Sequence, residues 1–240
     1  MQPDHQLWQV RDFVWAMLGG LAGAIALGAG ALAAGTGEDG LIVFGSLGQF
    51  AGHLLTIGLM ARRRGGLRSL GFEVEPSDVV YIFYGIGLQI VLPLIFGPLA
   101  QLFSDGSSGQ AVADQIRQLQ TAPYRFLMAG VVAVLAPIAE ELMFRGILLR
   151  ATAAGGMLRA TLWTSAVFAA FHLFGLSGDL LASLVLLVPT FLIMGVVLAR
   201  MTLRRGRIGP AIFVHSGFNL LALSVLLLPP ELLETLSTTP

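Results

Sequence analysis

Apolar residues in this chain come in long unbroken runs, with neither the alternation of strands nor the single apolar stripe of soluble helices. Seven runs stand out, at roughly 13–34, 41–61, 79–102, 123–150, 160–174, 180–201 and 208–228. About 20 apolar residues make a helix long enough to cross the roughly 30 Å hydrocarbon layer of a bilayer. The pattern therefore predicts an all-α fold, a polytopic membrane helix bundle of about seven transmembrane helices. It predicts one integral membrane domain over residues 1–240, with no internal repeat and no second domain.

The arginines test that count. Arg11 precedes the first run, Arg62, Arg63, Arg64 and Arg68 follow the second, and Arg150 and Arg159 separate the fourth from the fifth. Arg200, Arg204, Arg205 and Arg207 lie between the sixth and seventh. Seven alternating spans put all of these on one side, which the positive-inside rule makes cytoplasmic. The other side receives Glu38, Asp39, Asp105, Asp114, Asp179, Glu231 and Glu234, with Arg117 and Arg125. The expected orientation is N-terminus in and C-terminus out. The N-terminal run is read as a retained helix. Ala31-Leu32-Ala33 imitates a cleavage site, but Asp4 and Asp12 beside Arg11 make a poor signal n-region, and the run is too long.

Three connections carry further expectations. Leu67–Phe72 mixes apolar and basic residues and fits the cytoplasmic interface. Gln110–Gln120 places Val112, Ile116 and Leu119 on one face, as a short outer helix would, although a solvated loop accounts for it equally well. The fifth run is only about 15 residues, about two-thirds of the hydrocarbon thickness. Gly175–Asp179 then falls below the outer surface, where irregular backbone has to be buried in protein or face a wet cavity.

Composition agrees with a membrane protein: 55% hydrophobic residues, 12% charged and a mean hydropathy of +0.81. Zero net charge gives no field to attract nucleic acid. The chain has no cysteine, so thiol catalysis is excluded, and all 14 of its basic residues are arginine. The Ala-, Gly- and Leu-rich composition points to a GC-rich coding sequence, hence to a bacterial cytoplasmic membrane.

Against this apolar background the polar residues within the spans carry the chemistry. Glu140 and Glu141 stand side by side in the fourth run, with Arg145 one turn on. A carboxylate at membrane depth costs about 2.5–3.5 kcal/mol even on lenient scales. The fifth run holds Phe168 and His172, and the seventh His215 and Asn219, each pair four apart and so on one helix face. At 1.5 Å per residue, Glu140 lies about 15 Å below Arg150, His172 about 18 Å in from Ala160, and His215 and Asn219 about 10 and 16 Å in from Ile208. Three helices thus bring polar groups to one layer. Glu141 pairs with Arg145 at i, i+4, while Glu140 sits about 100° around the helix and faces elsewhere. Pro137 removes one helix hydrogen bond just before the pair. His53 reads as a satisfied structural histidine and Phe168 as packing.

A glutamate and a histidine within reach of one water remove its proton, and a second histidine with an asparagine stabilises an oxyanion. That set suits peptide hydrolysis by activated water. No G-x-S-x-G elbow and no cysteine offers a covalent route. Two histidines and a carboxylate are also a zinc donor set, although His-Glu-x-x-His is absent.

Glu140-Glu141-x-x-x-Arg145, Phe168-x-x-x-His172 and His215-x-x-x-Asn219, in this order on separate membrane helices, resemble the three motifs of the CPBP family. That family comprises the CAAX prenyl endopeptidases and bacterial proteins grouped as bacteriocin-processing or self-immunity proteins. The resemblance covers the motif-bearing core, about 123–228. Leu70-Gly71-Phe72 also resembles the family's entry to the third span. It implies an intramembrane endopeptidase, a peptidase with catalytic residues Glu140, Glu141, Arg145, His172, His215 and Asn219. Glu140 with His172 would activate water, His215 and Asn219 would hold the oxyanion, and Glu141 with Arg145 would orient and charge-balance the site. No cofactor is expected; in a metalloprotease mechanism the zinc or other divalent ligands would be Glu140, His172 and His215. The expected partners are a peptide or membrane-protein substrate and membrane lipid, with no nucleic acid. The competing readings are a non-catalytic immunity or partner scaffold that keeps the same polar core, and a proton-coupled transporter, which inverted repeats would mark and which this sequence lacks.

Overall fold

The structure is a computed structural model that describes residues 7–103 and 108–228. Asp4, Asp105, Glu231 and Glu234, used in the charge argument, lie outside the described residues. Among the described residues eight helices are formed: α1 (Val10–Ala33), α2 (Gly37–Arg62), α3 (Tyr81–Gln101), α4 (Ala111–Gln118), α5 (Ala122–Gly155), α6 (Met157–Leu173), α7 (Leu180–Arg205) and α8 (Gly209–Leu226). Six of them, α1, α2, α3 with its leading turn, α5, α7 and α8, are long and apolar enough to cross a membrane. The seventh expected span, α6, has 17 residues, about 26 Å of rise and short of the hydrocarbon layer. The fold is thus an all-α membrane bundle with six full-length candidate spans, and the full count of seven does not follow from it.

Small residues set how closely the helices approach. In α1 and α2 a side chain at Gly23 would run into the Gly48 carbonyl, and one at Gly48 into that of Gly23, so the two backbones touch. Gly85 of α3 meets the backbone of α8 at Val214, and Gly217 of α8 meets Ile82 in the same way. The aromatic and aliphatic core lies between these pairs. Phe13, Ile57, Phe144, Ile147, Phe168, Met194 and Val214 form one buried cluster, with the second half of α5 in its middle.

Two buried acids tie down one end of the bundle. Asp12 takes hydrogen bonds from Arg64 at 2.5 and 2.9 Å, and the Arg64 guanidinium lies over Trp8. Asp78, fully buried, pairs with Arg207, which also reaches Glu75 at 3.0 Å. The bond to Asp78 holds the Arg207 guanidinium above its ordinary pKa. Leu67–Leu70 forms a 3-10 turn at this end, and Ile208 N–H donates to the Gly71 carbonyl at 2.8 Å.

At the other end the short helix expected around Gln110–Gln120 is α4. Its Ile116 and the following Leu119 are buried against Val43, Met128 and Leu223. A two-stranded ribbon precedes it, which the hydrophobic pattern did not show: β1 (Ser108–Gln110) pairs antiparallel with β2 (Leu176–Gly178). The Gly175–Asp179 backbone is thereby satisfied. Ala111 N–H bonds Gly175, the Ser183 hydroxyl donates to the Ser177 carbonyl at 2.7 Å, and Asp179 caps α7 through Ala182 N–H.

Candidate active site

The site is built on α5, whose helical winding loosens twice. Val131–Leu135 and Leu142–Leu148 are π-type, on either side of the α-helical Ala136–Glu141 that carries both glutamates. The first widening follows from Pro137. Ala136 N–H bonds the Val131 carbonyl five residues back. The next bond of that pattern would run from residue 137 to the Val132 carbonyl, and proline has no N–H to give. Asn219 supplies the donor instead, its Nδ2 lying 2.9 Å from the Val132 oxygen. Asn219 thus fixes α8 to α5 beside the glutamates and keeps its second amide proton free.

Glu141 is fully buried. Its Oε1 accepts from Arg145 Nη1 at 3.0 Å and from His215 Nδ1 at 2.9 Å. Arg145, also buried, reaches the Gly195 carbonyl of α7 at 3.3 Å and lies over the Phe168 ring, 4.5 Å from its centroid. The i, i+4 pair read from the sequence is present. The link from Glu141 to His215 was not legible there, because it joins residues 74 apart. A carboxylate only accepts, so His215 carries its proton on Nδ1 and turns Nε2 towards Glu140, whose Oε2 is 3.7 Å away. Glu140 itself is partly open, and its Oε2 has no hydrogen-bond partner.

His172 bonds through Nδ1 to the Phe168 carbonyl one turn back, at 2.8 Å. That acceptor likewise places the proton on Nδ1 and leaves Nε2 as a lone pair. The ring is held flat by stacking on Phe191, centroids 4.0 Å apart. Phe168, buried, packs against His172, His215 and Arg145 together, which makes it the wedge that spaces the polar groups.

Glu140, His172, His215 and Asn219 line one cavity of about 470 Å³. Glu141 and Arg145 do not line it; they stand behind His215. His53 of α2 lines the same cavity. Its Nδ1 is bonded to the Ala16 carbonyl at 2.8 Å, as expected of a satisfied histidine, but its ring still faces the chamber. A second cavity of about 520 Å³ adjoins the first across Asn219, Val132 and Phe191, and Gln89 of α3 opens onto it. Neither His53 nor Gln89 emerged from the sequence as part of a site, since a single polar residue in a span has no partner spacing to mark it.

Residues 122–221, from the start of α5 into the last third of α8, match the family model described as type II CAAX prenyl endopeptidase Rce1-like. Over these residues the chain is similar to the CAAX protease (CPBP) family. The match contains all seven motif residues, whereas His53 and Gln89 lie outside it. Comparisons with curated proteins and with solved structures yielded no match. The similarity to this peptidase family, together with six apolar helices, supports an integral membrane protein. Among the described residues no three histidine or acidic side chains converge as metal ligands do.

Proposed function

We propose that the protein is an intramembrane endopeptidase in which Glu140 and His172 activate a water held in the 470 Å³ cavity. The observation that carries this reading is the division of labour between adjacent carboxylates. Glu141 lies behind the cavity with its Oε1 bonded to Arg145 and His215, while Glu140 lines the cavity itself. Glu140 takes a proton from water as the oxygen attacks the peptide carbonyl, and His172 Nε2 accepts the water's other O–H and orients it. His215 and the free amide proton of Asn219 face the developing oxyanion. This role asks His215 to hold protons on both nitrogens, and Glu141 and Glu140 are the partners such a cation needs. On collapse the C–N bond breaks and Glu140 returns its proton to the leaving amine. The charged residues behind the site keep His215 aimed.

The test is cleavage of a library of apolar peptides by purified protein in detergent, with Glu140→Gln beside it. The parent should cleave a subset and the variant none at a comparable rate. Cleavage should also survive chelation, because the named groups complete the step. Tightly bound stoichiometric zinc, with activity lost on its removal and restored on its return, would overturn the metal-free mechanism.

A further inference from the structure

The second cavity lies against the site, yet none of the steps above uses it. It is walled by Ile90, Pro93, Leu187, Phe191 and Phe218 from α3, α7 and α8, and it meets the polar cavity at Asn219. Gln110, Arg117 and Thr190 also line it, but of its described side chains only Gln89 leaves a buried polar atom without a partner. Gln89 Oε1 is buried and has no hydrogen-bond partner. Thr190, on the same wall, already donates to the Leu186 carbonyl at 2.7 Å. A buried acceptor without a donor costs free energy, so an amide kept here, about midway along a membrane helix, calls for a ligand that supplies a donor.

Resting on the endopeptidase reading, we infer that this chamber holds the apolar segment of the substrate next to the scissile bond, and that Gln89 accepts a hydrogen bond from a backbone N–H of that segment. Two occupants compete for an apolar chamber at this depth. A lipid acyl chain fills the volume but has no donor for Gln89. A peptide with leucine- or phenylalanine-like side chains fills it and brings one N–H per residue. Continuity with the polar cavity through Asn219 also places the chamber beside the scissile carbonyl, where a bound substrate chain has to run. Gln89 is thus a specificity residue, on the side of the bundle outside the family match.

The experiment uses an apolar peptide that the parent cleaves, with single backbone amides replaced one by one by esters, each of which deletes one N–H. Binding to the inactive Glu140→Gln protein is measured alongside KM and kcat. Changing Gln89→Leu should weaken binding and raise KM about five- to tenfold for the all-amide peptide, with kcat little changed, the size of one hydrogen bond. For one ester analogue the parent should show that same loss and Gln89→Leu should add nothing to it. Gln89→Met, of similar length, separates lost packing from the lost acceptor and should behave like Gln89→Leu. A photoreactive leucine at the adjacent residue should cross-link to Ile90 or Leu187. The inference fails if Gln89→Leu binds every analogue as the parent does, if it weakens all of them equally, or if the cross-links map elsewhere and only lipid is recovered from the chamber. Failure of the endopeptidase reading looks different: the parent would then cleave no peptide of the library.

Discussion

At the scale of single residues, Glu141 is where the site is held together, because one oxygen joins Arg145 on its own helix to His215 on α8. Replacing it with glutamine leaves Arg145 buried without a counter-charge, at a cost of about 3–5 kcal/mol for a buried pair. Thermal denaturation of Glu141→Gln in detergent should show that loss, and adding Arg145→Met should recover part of it, since both charges then leave together. A double variant no more stable than the single one would show that the pair is not what the bundle rests on. The sequence carried half of this arrangement. The i, i+4 spacing of Glu141 and Arg145 is a local rule and was legible. The bond to His215 depends on how α8 docks on α5, and no spacing encodes that. The same holds for His172: its place on a face with Phe168 could be read, but the stacking on Phe191 of α7 that fixes its ring could not.

At the scale of elements, α5 shows what periodicity conceals. Hydropathy marks a single run there, whereas the helix changes winding twice. The turn before Pro137 has a cause in the sequence, since a proline leaves a carbonyl without its donor. The turn over Leu142–Leu148 contains no proline, and no local residue accounts for it. The proline and Asn219 are coupled through the Val132 carbonyl, and a double-mutant cycle measures the coupling. Asn219→Leu should cost about 1–3 kcal/mol for the orphaned carbonyl. The same change made on Pro137→Ala, which restores an N–H, should cost distinctly less. Equal costs in the two backgrounds would mean that Asn219 does not stand in for the proline. Peptide cleavage should be lost with Asn219→Leu in both, because the oxyanion role survives the repair. The ribbon of β1 and β2 was hidden for a related reason: three-residue strands leave no periodic signature. The constraint behind it, that backbone at that depth needs partners, was legible in the shortness of the fifth run.

At the scale of the whole molecule, the arginine pattern and the bundle together set an orientation to be tested. Reporter fusions after Arg64, Arg159 and Arg207 should report cytoplasm, and fusions after Gln120, Gly178 and Leu228 the exterior. The fusion after Gly178 is the informative one, since it asks whether the 17-residue α6 carries the chain across. A cytoplasmic signal there would make six the number of crossings and reverse the side of the C-terminal end. Either topology keeps Glu140, His172, His215 and Asn219 around one cavity, so the chemistry is tested separately. The most direct measurement is peptide cleavage and melting temperature for Glu140→Gln and Glu141→Gln side by side in detergent. The account predicts that Glu140→Gln keeps the parent's melting temperature and loses about 10²-fold or more in turnover, the size of a general-base contribution. Glu141→Gln should melt lower and lose activity only as the site loosens. A Glu140→Gln protein that turns over peptide like the parent, beside a stably folded but inactive Glu141→Gln, would contradict it.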